Sequence, residues 1–436
     1  MRRKFQRNKN LGNKGFVYKE ALPNGLRVLV HEMPWAQSVS ARLLVSAGPR
    51  WEDDKTTGTA HYLEHMIFEG SQKYPSRREL DKAIENFGGD QNAYTQKEYV
   101  MYQAKVPSEH AGFATEFVRE FVFNPLMSEE AVAREKGIIT AELKRSNDDP
   151  NNHSWQLLRE FVWRGHSLGH NTLGTFDSIQ AITKEDLIKY HQKFYRPDNT
   201  ILVIAGNIDG SKAIDLAMKD FGSLSAHPDL GFTVPTPQFV KQKQRVFIEN
   251  KKLEETRILM AFSTEGRGEN SPELPEIQVL SKIMRKTIFH KFVYDLGISY
   301  SAFCYPWLVS DNGSLVVGAG VHPERTDEAI DVIVNEVNRL EITNESLKEA
   351  KEALKGELTL DIADTDDYAH FIGEQELYTG IIKSPEQVRL GIDRVTVDAV
   401  TKLKREIISD KTSALVLLGP IDESKSEDLN NKLLFS

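Results

Sequence analysis

Cysteine is nearly absent: the 436 residues hold one, Cys304. A lone thiol excludes an intrachain disulfide and fits a reducing compartment, so a cytoplasmic location is expected. Long hydrophobic runs are missing too. No apolar stretch approaches the ~18 residues of a membrane-spanning helix, so no membrane span is expected. Residues 1–10 are basic, yet they lack the apolar core of a secretory signal and the serines of a transit peptide. Residues 1–14 are therefore expected to form a solvated, disordered tail. Positive charge is in deficit: the formal net charge is −9, so nucleic acid is not an expected partner. What remains is an ordinary globular composition, 40% hydrophobic and 27% charged, long enough for two domains.

One pentapeptide departs from this background: His61-Tyr62-Leu63-Glu64-His65. On a helix, residues four apart share a face, so both imidazoles reach one metal ion. Glu64 follows the first histidine by three and lies on nearly the same face, beside the metal's open position. Two neutral imidazoles, a neighbouring base and a third ligand make a hydrolytic zinc site. The order H-x-x-E-H reverses H-E-x-x-H and is the inverzincin signature. An amphipathic helix with two surface histidines is the bland alternative. The neighbours Tyr62, Leu63, Met66, Ile67 and Phe68 speak against it, because a helix this apolar is buried and its polar groups need partners.

The third ligand is expected on another helix, in the segment 129–143. Glu135 and Glu142 are seven apart there and share a face with Ile138 and Ile139. A glutamate on an apolar face is unusual. One of the two can ligate zinc while the other hydrogen-bonds a ligating histidine from behind. Spacing alone does not choose between them, and a solvated charged stripe is the competing reading.

His61-Tyr62-Leu63-Glu64-His65-Met66, Phe87-Gly88-Gly89, Asn92-Ala93-Tyr94-Thr95, and then Glu135 and Glu142, together resemble the pitrilysin family of zinc peptidases. Mitochondrial processing peptidase and insulysin belong to that family, and in length the chain is most similar to its small bacterial branch. The resemblance implies Zn2+ held by His61, His65 and Glu142, with Glu135 at the acidic position behind a histidine. It implies hydrolysis of extended peptides by zinc-bound water, with Glu64 as general base. It places Asn92 and Ala93 against the substrate backbone. On sequence alone that segment also reads as an Asx turn before the strand 99–102.

The second half echoes the first at an offset of about 215 residues, as expected for a duplicated domain. Val106-Pro107 returns as Val321 followed by His322-Pro323, Glu142-Leu143 as Glu357-Leu358, Ile182-Thr183 as Val395-Thr396, and Ala205-Gly206 as Leu418-Gly419. The expected fold class is α+β: two homologous domains, each a mainly antiparallel sheet packed with helices. The expected bounds are 15–225 for the zinc-binding domain, 226–242 for a Pro-rich linker and 243–436 for a degenerate copy. Glu276, Val279 and Leu280 stand where the ligands and the base would be, so the copy lacks a metal site.

The family's second domain pairs an arginine with a tyrosine that help hold the bound carbonyl. Gly297 and Tyr300 match this pattern, but Val293 occupies the arginine's place. Tyr300 alone also reads as a packed aromatic. The family encloses peptides in a chamber of four such domains, which implies a dimer here: a homodimer, or a heterodimer whose homologous partner supplies the Arg/Tyr pair. The alternative to an enzyme is a non-catalytic scaffold or binding subunit of a processing-peptidase-like complex.

Overall fold

Strands form where β-branched and aliphatic residues run together, and helices where apolar residues recur every three or four positions. The computed structural model describes residues 6–7, 17–225, 245–268 and 274–435. The strands are β1 (Gln6–Arg7), β2 (Val17–Ala21), β3 (Arg27–Glu32), β4 (Ser38–Val45), β5 (Asp90–Thr95), β6 (Val100–Pro107), β7 (Thr200–Gly206), β8 (Val246–Asn250), β9 (Thr256–Thr264), β10 (Phe303–Leu308), β11 (Gly313–Val321) and β12 (Ser413–Gly419). The helices are α1 (Thr59–Ile67), α2 (Arg77–Glu85), α3 (Ala111–Phe123), α4 (Glu129–Asp148), α5 (Pro150–Val162), α6 (Phe176–Ala181), α7 (Lys184–Phe194), α8 (Gly210–Phe221), α9 (Leu274–His290), α10 (Thr326–Arg339), α11 (Asn344–Asp361), α12 (Thr365–Thr379), α13 (Pro385–Arg394), α14 (Val397–Ile407) and α15 (Ser426–Lys432). None of these helices is long and apolar enough to cross a membrane. The linker 226–242 and most of the tail 1–14 lie outside the described residues. Gln6 and Arg7 are described, and they pair with Lys19 and Tyr18.

The first sheet has the order β1-β2-β3-β7-β4-β6-β5 and the second β10-β11-β9-β12-β8. Read from its other edge, the second repeats the five strands β3-β7-β4-β6-β5. Even the parallel pair recurs, β3 with β7 in one and β8 with β12 in the other, while all other pairs are antiparallel. The α+β fold with an internal duplication is therefore present in both sequence and topology. β7 and β12 are buried along their whole length, as in strands covered on both faces.

The compact units interleave instead of dividing the chain at one linker. The first comprises the described parts of Met1–Lys144, His170–Val234 and Leu360–Glu386; the second comprises those of Arg145–Gly169, Pro235–Thr359 and Gln387–Ser436. Two equivalent helices are thus exchanged. α5, from the first half, covers the second sheet, with Leu157, Leu158 and Phe161 clustered against Leu259, Val316 and Val416. α12, from the second half, covers the first sheet, with Ala369 and Ile372 clustered with Leu29, Leu44 and Val203. Gly373 lets α12 approach closely: a Cβ there would lie 2.9 Å from Leu44 Cδ1. The opposite face of the first sheet holds the larger core, which includes Tyr62, Leu63 and Met66 of α1, Phe117 and Phe121 of α3, and Ile139 of α4.

Candidate metal centre

α1 begins at Gly58, whose φ of +94° favours glycine, and a Cβ there would lie 2.8 Å from Gly174 Cα. No side chain of the cap residue itself closes the helix start. Glu52 does so from six residues upstream of Gly58: Oε2 accepts from Gly58 N at 2.7 Å and Oε1 from Ala60 N at 2.7 Å. A carboxylate suits the positive end of the helix dipole. α1 buries Tyr62, Leu63, Met66 and Ile67. Tyr62 Oη donates to the Val132 carbonyl at 2.5 Å, fixing α1 against α4.

That packing brings the expected ligands together. His61 Nε2 lies 3.7 Å from Glu142 Oε1, and His65 Nε2 lies 3.4 Å from Glu142 Oε2. One donor atom from each of the three residues falls within 4.8 Å of the others, the single such group among the described residues. Glu135, two helical turns earlier on α4, plays the other part: its Oε2 is 3.0 Å from His65 Nδ1. A carboxylate accepting from Nδ1–H fixes the ring so that Nε2 is the nitrogen turned toward Glu142. Depth separates the two glutamates, whose side chains are 1% exposed for Glu135 and 39% for Glu142.

The electrostatics fit a cation. Burial, with His65 adding to it, pushes the His61 imidazole down to about 4, so it is neutral near pH 7. Burial opposes charge on His65 as well, but the hydrogen bonds to Glu142 and Glu135 and the charge of Glu64 outweigh it and raise its pKa. Glu64 is raised by burial, against the pull of its Thr95 hydrogen bond. Thr95 Oγ1 donates to Glu64 Oε2 at 2.5 Å. Sequence reading quoted Thr95 without giving it this role. The available signal was strand parity, which puts Thr95 on the same face as Ala93 and toward α1. Behind Glu64, Tyr102 and Tyr195 share a hydrogen bond of 2.7 Å.

Asn92 and Ala93 belong to β5, an edge strand paired only with β6. The strand therefore carries the segment, and an Asx-like contact exists within it: Asn92 Oδ1 accepts from Ala93 N at 2.9 Å. A cavity of about 440 Å³ opens beside this strand, lined among others by Glu64, His65, Phe68, Asp81, Gln91 and Asn92. Tyr300, in the second unit, is 88% exposed and so is not a packed aromatic. It follows Gly297, whose φ is +58°, and Val293 sits in the π-helical turn Lys291–Asp295. At the degenerate position in the second unit, Val279 and Leu280 are fully buried in the core, and Glu357 forms an ion pair with Lys282 at 2.6 Å.

Glu52 also makes α1 sensitive to pH. Burial lifts its pKa from 4.5 to about 7, against the two backbone N–H groups that lower it. The folded state thus holds this proton more tightly than the unfolded chain. The corresponding stability is complete below pH 4.5 and is lost as pH rises through about 7. Glu52→Gln keeps an acceptor oxygen and removes the titration. Melting curves from pH 5 to 8.5 are expected to show wild type losing about 2–3 kcal/mol more than the variant. Parallel profiles would remove the effect.

A family model described as insulinase (peptidase family M16) matches residues 27–176, and one described as the peptidase M16 inactive domain matches 181–354. The uncharacterized zinc protease YmxG of Bacillus subtilis is 29% identical over 91% of this chain and 97% of its own length. The mitochondrial-processing peptidase subunit beta of Lentinula edodes is 30% identical over 97% of this chain and 94% of its own. Among solved structures, a protease from Helicobacter pylori shares the fold with a TM-score of 0.83 at 21% identity, over 92% of this chain and 99% of that one. With both halves matched in order and relatives aligned nearly end to end, the chain belongs to the insulinase family of peptidases, M16.

Proposed function

We propose that this protein is a zinc-dependent endopeptidase acting on extended peptides. The observation that carries the proposal is the convergence of His61, His65 and Glu142 around one point, with Glu64 on the same helix and an edge strand alongside. The donor set, two imidazoles and a carboxylate with one imidazole oriented by Glu135, suits zinc. When bound there, zinc supplies a Lewis acid that activates water and polarises the scissile carbonyl.

Glu64 takes a proton from the attacking water, and Thr95 holds its Oε2, leaving Oε1 for that proton. As the C–N bond breaks, Glu64 returns that proton to the leaving nitrogen. β5 offers its unpaired edge to the substrate backbone, with Asn92 and Ala93 in register beside the reacting groups. The cavity lined by Phe68, Asp81 and Gln91 receives a neighbouring side chain. Tyr300 is assigned to the substrate carbonyl, and with Val293 in place of arginine, a dimer with a homologous subunit completes the pair. The relatives named zinc proteases support the metal and the reaction class, and the single cysteine supports a cytoplasmic setting.

The test is hydrolysis of a quenched-fluorescent extended peptide by the purified zinc-loaded chain, alone and mixed with a homologous subunit that carries the Arg/Tyr pair. Turnover in either arm is the expected result. Full activity alone removes the heterodimer, and zinc binding without turnover in both arms leaves the scaffold reading.

A further inference from the structure

We propose that His370 and Glu374, on the exchanged helix α12, are positioning residues for the strand β5. The inference rests on the endopeptidase proposal, in which β5 receives the substrate. Successive residues of a strand point to opposite faces. Thr95 turns toward α1 and bonds Glu64. Tyr94 turns the other way, and its Oη lies 3.1 Å from His370 Nδ1. The two rings also meet edge to face, 6.4 Å apart. Across the short connection to β6, Tyr99 is 1% exposed and its Oη donates to Glu374 Oε1 at 2.8 Å. His370 and Glu374 are one turn apart, 3.6 Å between Nε2 and Oε2.

The end of the β5–β6 hairpin nearest Glu64 is thus held on both faces, by α1 on one and by α12 on the other. This matters because β5 has a single strand neighbour. A peptide that adds to its free edge must find the backbone already extended, or bear the cost of ordering it. α12 supplies that order. It lies beyond the residues matched by either family model, past the end of the stretch matched as the inactive domain. The second half therefore serves the proposed site inside the same compact unit, through residues unrelated to Tyr300.

The zinc-loaded full chain is compared with His370→Ala and Glu374→Gln. KM for an extended peptide is expected to rise about three- to tenfold, with kcat and zinc content within about twofold of wild type. His370→Asn, which keeps a side chain able to pair with Tyr94 Oη, recovers most of the loss. A purely structural role would instead lower the melting temperature and kcat together with KM unchanged, and that result overturns the proposal. Hydrogen exchange gives a readout independent of turnover: amides of residues 90–100 exchange faster in His370→Ala. If they do not, the brace is refuted. If the wild type never cleaves peptide while that exchange change is present, it is the endopeptidase reading that fails.

Discussion

Glu64→Gln is expected to lower kcat for peptide hydrolysis by about 10²–10⁴-fold while zinc content stays at the wild-type level. Glutamine is nearly isosteric and still accepts the hydrogen bond from Thr95, so the helix and the ligands keep their places. What it cannot do is carry a proton from water to the leaving nitrogen. The separation of effects is the informative part. The proposed metal donors are His61, His65 and Glu142, and Glu64 is not among them. Parallel loss of zinc and turnover in this variant would show that Glu64 is itself a ligand. Unchanged turnover would end the general-base assignment.

Metal removal is expected to act as strongly and more broadly. Chelation should bring turnover to background, with recovery on adding zinc. It should also lower the stability of the first unit, because a ligand present at 1,000 times its Kd contributes about 4 kcal/mol to the state that binds it. Without a cation to offset it, the charge of Glu142 acts on the buried Glu64 carboxylate. The second unit sets the internal control. There Val279 and Leu280 fill the corresponding helix face, and the Lys282–Glu357 pair links the helices α9 and α11. Hydrogen exchange after chelation should therefore quicken in α1 and α4 and stay unchanged in α9 and α11. Equal change in both, or none in either, would exclude a structural role for the metal at His61, His65 and Glu142.

The site was legible in the sequence wherever chemistry follows helical spacing. His61, Glu64 and His65 fall on one face by period alone, and the buried neighbours of that helix are the apolar residues that flank them. The choice between Glu135 and Glu142 was not legible that way, since seven residues return both to one face. Only depth distinguishes the fully buried partner of His65 from the more exposed carboxylate beside both imidazoles. The duplication was legible because the same strand and helix signals recur at a fixed offset, and the two sheets repeat one strand order. The exchange of α5 and α12 was not. An amphipathic helix announces that one face is buried, but it does not say against which sheet, and equivalent sheets offer similar apolar surfaces. Glu52 was hidden for a related reason: a helix cap drawn from a distant loop leaves no local pattern.

That exchange sets an order on synthesis. As the ribosome releases the first half, its sheet still shows Val17, Leu29, Leu44, Met101, Ile201 and Val203 without the helix that will cover them, because Ala369 and Ile372 have yet to be translated. α5, already made, waits in turn for Leu259 and Val416. The nascent chain carries two sticky surfaces until those later residues are added, so the span of that exposure follows from where two helices are encoded.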